Sequence, residues 1–479
     1  RLSIVYLYWK NRNNKPQPKA RFQELPVVTV QLPMFNEKFV VDRLLESVAA
    51  LDYPQDKLEI QILDDSTDDT TEQCYRKVEE LKSRGFDAVC IHRTDRTGFK
   101  AGALEAATKV AKGEFLLILD ADFVPEPDLL QKTIHFFTDE NVGLVQTRWG
   151  HINREYNLLT RIQGMYLDGH FAMEQTARNR SGRFFTFNGT AGIWRKCVIG
   201  DAGGWSHDTL TEDMDLSYRV QLRGWRFIYL NDVVTPAELP VDMDGFKSQQ
   251  HRWTKGSIQV CQKILLDIWR SNAPLKAKVE ATTHLTCNYS YLLLALLCFL
   301  VYPICTQRIP ENETVFMWFV NVALFFMTSV AVCIFYMSAQ IVVRPKSWWK
   351  ELPYLPLLLT LSVGMAVNNA KAVLEAIFGH QSAFVRTPKY GVDRKEDRRH
   401  VSQLKRNGYR AIKSVVIPVL EIACGTFFLN LIIIMIRQGH YLSPILMIPF
   451  LGFYYTGFCS LGRMISNLLP AKQTAKAKN

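Results

Sequence analysis

The chain has 479 residues, 48% of them apolar, and a net charge of +11 from 57 basic and 46 acidic side chains. That length allows two or three domains, and the crowding of apolar runs past residue 280 excludes one uniformly soluble globule. The basic residues cluster beside the apolar runs, at Lys10–Arg21, Arg344–Lys346, Arg394–Arg410 and Lys472–Lys478, which argues against nucleic acid as the partner and for cytoplasmic flanks held next to a lipid bilayer. The ten cysteines are scattered without a CxxC pair, so neither a disulfide framework nor a zinc site is implied.

In chain order, Leu2–Tyr8 reads as the end of a membrane helix, with a basic flank to residue 22. Residues 23–256 then alternate strands and helices at short intervals, the pattern of a Rossmann-like α/β domain. Strands are predicted at Val27–Pro33, Leu58–Leu63, Ala88–His92 and Phe115–Leu119, and helices at Val40–Leu51, from Asp69 to about Arg84, and at Ala101–Ala111. Phe115–Leu119 is a continuous apolar run, as for a strand buried on both faces, and Asp120-Ala121-Asp122 follows at its carboxyl end. Ligands bind at that end of open α/β sheets, and Asp-x-Asp there would hold a divalent cation that in turn holds a diphosphate. Taken alone, the pair is equally well read as two solvated turn aspartates.

Asp64-Asp65 also closes a strand, where a carboxylate either accepts hydrogen bonds from a ribose or uracil or belongs to a helix cap. Lys100 lies between Gly98 and Gly102 at a helix start, a position suited to a phosphate or a sugar hydroxyl. Phe187–Gly192 is a loop of small residues, and Thr211 is a candidate cap for a helix Met214–Leu222 with Asp213 in its first turn. Gln249-Gln250-His251-Arg252-Trp253 precedes an amphipathic helix, Ser257–Trp269, within an interfacial region 257–283. Bilayer-length apolar runs follow near 284–306, 314–338, 413–436 and 441–464, within a membrane region 284–464 that ends in a cytosolic tail, 465–479. The basic flanks put the α/β domain in the cytosol and make 352–378 an interfacial or re-entrant segment.

The ordered series Asp64-Asp65, Asp120-x-Asp122, Thr211-Glu212-Asp213 and Gln249-x-x-Arg252-Trp253 resembles the D, DxD, TED and QxxRW signature of processive family 2 glycosyltransferases, the cellulose synthase superfamily, with particular likeness to its cellulose-synthase-like A and C groups. Phe384–Lys389, within a loop 380–392, is similar to the gating loop of cellulose synthases, although its order here is Phe-Val-Arg-Thr. The resemblance implies a GT-A-type glycosyltransferase domain with an α-helical transmembrane domain, and an inverting transferase that elongates a growing polysaccharide. Its nucleotide-sugar donor is expected to be UDP-glucose for a β-1,4-glucan, with GDP-mannose for a mannan, or single addition to a lipid acceptor, as alternatives. It also implies roles. Asp213 is the general base. Asp64 or Asp65, Lys100, Asp120, Gln249, Arg252, Thr387 and Lys389 bind the nucleotide sugar. Glu212 and Trp253 bind the acceptor. Asp122, with Asp120, holds Mg2+ or Mn2+.

Overall fold

The structure is a computed structural model that describes residues 1–306, 314–381, 387–392, 415–437 and 444–468. Seven strands, β1 (Val28–Met34), β2 (Leu58–Asp64), β3 (Asp87–His92), β4 (Phe115–Ile118), β5 (Val142–His151), β6 (Gly192–Arg195) and β7 (Arg226–Ala237), form one sheet in the order β3-β2-β1-β4-β6-β5-β7. The first four pair in parallel, as the βα alternation predicts. β6 runs antiparallel to both β4 and β5, so the sheet is mixed rather than Rossmann-like throughout.

β4 sits at the sheet's centre. Phe115 and Leu117 join one hydrophobic core while Leu116 and Ile118 join the other, which is why the run lacks polar alternation. β1 and β2 behave differently. Val28, Val30, Leu58 and Ile60 face the first core, but Thr29, Gln31, Glu59 and Gln61 form a buried polar ladder on the other side. That ladder is bonded internally, Thr29 Oγ1 donating to Glu59 at 2.6 Å and Gln31 Nε2 to Gln61 at 3.1 Å, which satisfies most of its buried polar atoms and leaves Gln31 Oε1 without a partner among the described residues.

A single helix, Met243–Arg270, carries both the Gln249–Trp253 motif and the amphipathic segment expected to start at residue 257. The expected domain boundary at 256 therefore falls inside it. Asp242 caps its start by accepting from the Gly245 N–H at 2.9 Å, and no proline interrupts it. Gly256 lets this helix approach the Thr211 loop, since a Cβ there would stand 2.5 Å from Thr211 Cγ2.

Beyond this helix, two described helices are long and apolar enough to cross a membrane, Leu275–Pro303 and Val416–Arg437. They overlap two of the four expected runs, the first starting well before residue 284. The expected interfacial segment 352–378 is a helix pair, Trp348–Gly364 and Ala366–Ile377, bent by 41°. The expected run 314–338 lies in a helix described over Thr314–Val343, whose later stretch Val330–Val343 is a shorter apolar segment. The Pro444–Leu468 helix is not among the candidate spans, and it carries Thr456, Ser460 and Arg463. The basic loop 394–410 and residues 384–386 of the gating-like loop lie outside the described residues.

Candidate active site

The carboxyl ends of β1, β2 and β4 open into a cleft of about 1390 Å3, its solvent-filled mouth included. Asp65, Lys100, Asp120, Asp122, Glu212, Asp213, Gln249, Arg252, Trp253, Thr387 and Lys389 all line it. Asp64 does not. It is fully buried, accepts from Thr71 Oγ1 at 2.7 Å and from the Ser66 N–H at 3.1 Å, and lies 2.7 Å from His92 Nδ1. Its neighbour Asp65 faces the cleft, gripped by Arg93 through Nε at 2.8 Å and a terminal nitrogen at 2.6 Å.

Lys100 bridges two motifs. Its Nζ donates to Asp120 at 2.5 Å and to the Gly189 carbonyl at 2.8 Å, and the Asp120 N–H in turn donates to Thr190 Oγ1 at 2.8 Å. Burial alone would raise the Asp120 carboxyl, but Lys100, Lys389 and Arg252 outweigh it and hold Asp120 below its ordinary value. Asp122 is paired with Lys389. Burial would lower Lys389, yet Asp122, Glu37 and Asp120 carry it above its ordinary value, so it is charged.

Glu238 delivers that lysine. Placed directly after β7, it accepts from the N–H groups of Tyr390 at 2.9 Å, Gly391 at 3.0 Å and Val392 at 3.2 Å, anchoring the chain just past Lys389. Thr387 Oγ1 is buried without a hydrogen-bond partner among the described residues. Sequence reasoning missed Glu238, because a single glutamate after a strand carries no motif. It also missed Arg96, whose guanidinium lies 3.4 Å from the Phe35 ring centroid in the cleft wall near Asp65.

The opposite wall is the Glu212–Leu222 helix. It begins two residues before the expected Met214, so Asp213 lies in the first turn as predicted, while Thr211 holds the cap position without a side-chain capping bond. The Asp213 carboxyl is pushed up to about 7, chiefly by burial and then by neighbouring Glu212. Arg252 faces Glu212, Asp120 and Asp213. Trp253 packs against a cluster of Leu167, Phe171 and Leu239 at the cleft edge.

Gly189 sets the gap between these walls. Its φ is +82°, and a Cβ there would lie 3.1 Å from Asp213 Oδ2 and 3.6 Å from Lys100 Nζ. Gly189→Ala should therefore crowd both side chains and strain the loop by about 1–3 kcal/mol, lowering the melting temperature by a few degrees and, by displacing the two groups, any activity of the cleft by about 10-fold or more. Initial rates alongside thermal melts check this, and an unchanged rate contradicts the tight approach.

The same residues match known families. Residues 26–256 match glycosyltransferase-like family 2, and residues 192–439, just over half the chain, match cellulose synthase. The chain belongs to the cellulose synthase family. Glucomannan 4-beta-mannosyltransferase 2 of Arabidopsis thaliana is 42% identical over 284 residues, 56% of this chain and 52% of that protein. Glucomannan 4-beta-mannosyltransferase 1 of Oryza sativa subsp. japonica is 40% identical over 277 residues, 57% of this chain and 53% of that protein. This cellulose synthase family chain thus spans about half the length of the curated relatives it matches. The mannosyltransferase PcManGT of Pyrobaculum calidifontis, solved with GDP-Man and Mn2+, superposes with a TM-score of 0.55 at 20% identity, covering 79% of this chain and 95% of that one. That likeness supports the GT-A-like fold.

Among the described residues no group of three or more His, Cys, Asp or Glu side chains could hold a metal by itself. The donor set still fits Mg2+ or Mn2+. Such ions are commonly held by one or two carboxylates plus substrate phosphates, and Asp122 and Asp120 of this cellulose synthase family site supply hard oxygens. The Lys389 ammonium on Asp122 stands where a cation is wanted.

Proposed function

We propose that the chain is the catalytic part of a membrane-embedded, inverting, processive β-glycan synthase that builds a 1,4-linked mannan or glucomannan backbone from GDP-mannose. The observation that carries the reading is the convergence of Asp213, Lys100, Asp120, Asp122, Arg252 and Trp253 on one cleft. The sugar assignment rests on the named activity of the relatives, which supports the mannan alternative over the UDP-glucose glucan favoured from sequence.

In this reading Asp65 holds the nucleoside, and Asp64 is structural, fixing the loop that presents it. Asp213, ionised, takes the proton of the acceptor hydroxyl as that oxygen bonds to the anomeric carbon. The bond from the anomeric carbon to the diphosphate breaks on the opposite face, so an α-linked donor yields a β-linkage. Lys100, Arg252 and Lys389 meet the charge growing on the leaving diphosphate, with Gln249 and Thr387 hydrogen-bonding it. A divalent cation held by Asp122 and Asp120 would add further charge neutralisation there. Glu212 hydrogen-bonds the acceptor, and Trp253 stacks beneath its terminal sugar. The GT-A-like domain faces the cytosol, where the donor is found, and the apolar helices carry the polymer across the bilayer.

Membranes containing the protein, given labelled GDP-mannose or UDP-glucose, test both halves of this reading. A polymer formed from GDP-mannose and degraded by β-mannanase is the expected result. A glucan made from UDP-glucose with no mannan would overturn the sugar, and a short organic-soluble product alone would overturn the polymer.

A further inference from the structure

A second cavity lies away from the cleft, between the two segments that lead into apolar helices. One side is Asn14–Pro16, after the Leu2–Asn11 helix, and the other is Asn272–Pro274, before the Leu275–Thr286 helix. Its lining contains Arg180, Arg183 and Arg226, aromatic walls that include Phe184 and Trp225, and no carboxylate. Arg226 is neutralised by Asp139 at 2.8 Å. The other two arginines end on no carboxylate among the described residues. Arg180 donates to the Arg12 carbonyl at 2.5 Å and keeps a buried Nε without a partner, and Arg183 reaches only the Ser181 carbonyl at 3.5 Å. Lys276 adds a third charge at the rim, bonded to the Ser181 carbonyl at 3.0 Å.

We propose that this cavity holds the phosphate headgroup of an anionic phospholipid from the leaflet next to the GT-A-like domain. Guanidinium forks match phosphate oxygens bidentately, and nothing in the lining repels an anion. The commitment to lipid rather than a soluble phosphate comes from the flanks. Tyr6 and Trp9 on the first helix and Leu275 and Val279 on the second are exposed apolar side chains beside the cavity's two entry segments, as at a membrane–water interface. Chain atoms of the lipid would lie along these side chains while its phosphate reaches Arg180 and Arg183. The inference rests on the membrane-embedded reading above, and it assigns the site a use outside the transfer reaction.

The test uses the full-length protein in nanodiscs of phosphatidylcholine with a minor share of phosphatidic acid, counting retained lipids by native mass spectrometry. The wild type should retain phosphatidic acid selectively. Arg183→Gln, at a side chain with one weak bond, and Arg180→Gln/Arg183→Gln should each lower that retention about tenfold or more, the loss expected for removed charge-assisted hydrogen bonds. Polymer synthesis by the variants in pure phosphatidylcholine shows that they are folded. Equal retention by wild type and variants overturns the site. Displacement of the lipid by inorganic phosphate or glycerol phosphate at matched concentrations overturns the lipid source. Failure of the wild type to enter nanodiscs refutes the membrane reading instead.

Discussion

Asp213→Asn should lower polymer synthesis by about 10^2–10^4-fold, the usual contribution of a positioned general base, while donor binding stays within a few-fold. The amide keeps the shape and the contact with the Met214 N–H, which donates to Asp213 Oδ1 at 2.8 Å, so folding is not the variable. The pH dependence has a definite sign. Burial and Glu212 raise the Asp213 carboxyl to about 7, and only its ionised form accepts a proton. The wild-type rate should therefore climb as pH rises through 7 and level off above it. Burial holds Asp213 up most, and Glu212→Gln removes only the second cause, the neighbouring charge, so the midpoint of the climb should move part of the way to lower pH. Initial rates across neutral pH measure both effects. Full synthesis by Asp213→Asn would rule out this assignment of the base, and an unmoved midpoint in Glu212→Gln would show that burial alone holds the carboxyl up.

A second large effect is expected far from the chemistry. Lys247 is 1% exposed and Glu421 fully buried, and they are joined at 2.5 Å between the Met243–Arg270 helix and the Val416–Arg437 helix. Lys247 Nζ also donates to the Thr456 carbonyl and to Ser460 Oγ, both at 3.0 Å, on the Pro444–Leu468 helix. Its own carbonyl accepts from Asn368 Nδ2 at 3.1 Å. One lysine thus ties the helix bearing Arg252 and Trp253 to three apolar helices. Lys247→Met strands a buried carboxylate and should cost about 3–5 kcal/mol, because removing one partner leaves the other charged and desolvated. The double variant Lys247→Met/Glu421→Leu removes both charges and should recover most of that loss. Thermal melts of the detergent-solubilised single and double variants close the cycle. A double variant as unstable as the sum of the singles would show that the two residues do not act as a pair. A stable double variant that makes shorter polymers would show that the tie sets the register of Trp253 rather than the stability of the fold.

Much of the site was legible before folding was considered, for a local reason. A carboxylate that follows a parallel strand emerges at the sheet's carboxyl edge, so Asp65, Asp120 and Asp122 were placed by the strands they terminate. Asp213 was placed by a helix start, and the Gln249–Trp253 series by motif spacing. The β6 reversal was not legible, because Gly192–Arg195 is four residues long and looks the same in either direction. The continuity of Met243–Arg270 was hidden for a related reason: Gly256 weakens a helical pattern, and only the packing of Thr211 against it supplies its purpose.

The sequence by itself determined the α/β character of the first half of the chain, the apolar runs beyond 280, and most of the motif residues that the cleft collects, though not Glu238 or Arg96. Those properties depend on strand and helix periodicity within windows of a few to about twenty residues. Only the tertiary structure separated Asp64 from Asp65, since the choice depends on His92 and Thr71 claiming one carboxylate and Arg93 the other. Only it brought Lys389 to Asp122 across 267 residues, through three backbone N–H groups held by Glu238. Contacts of that kind are fixed by which elements pack together, and no local pattern encodes that.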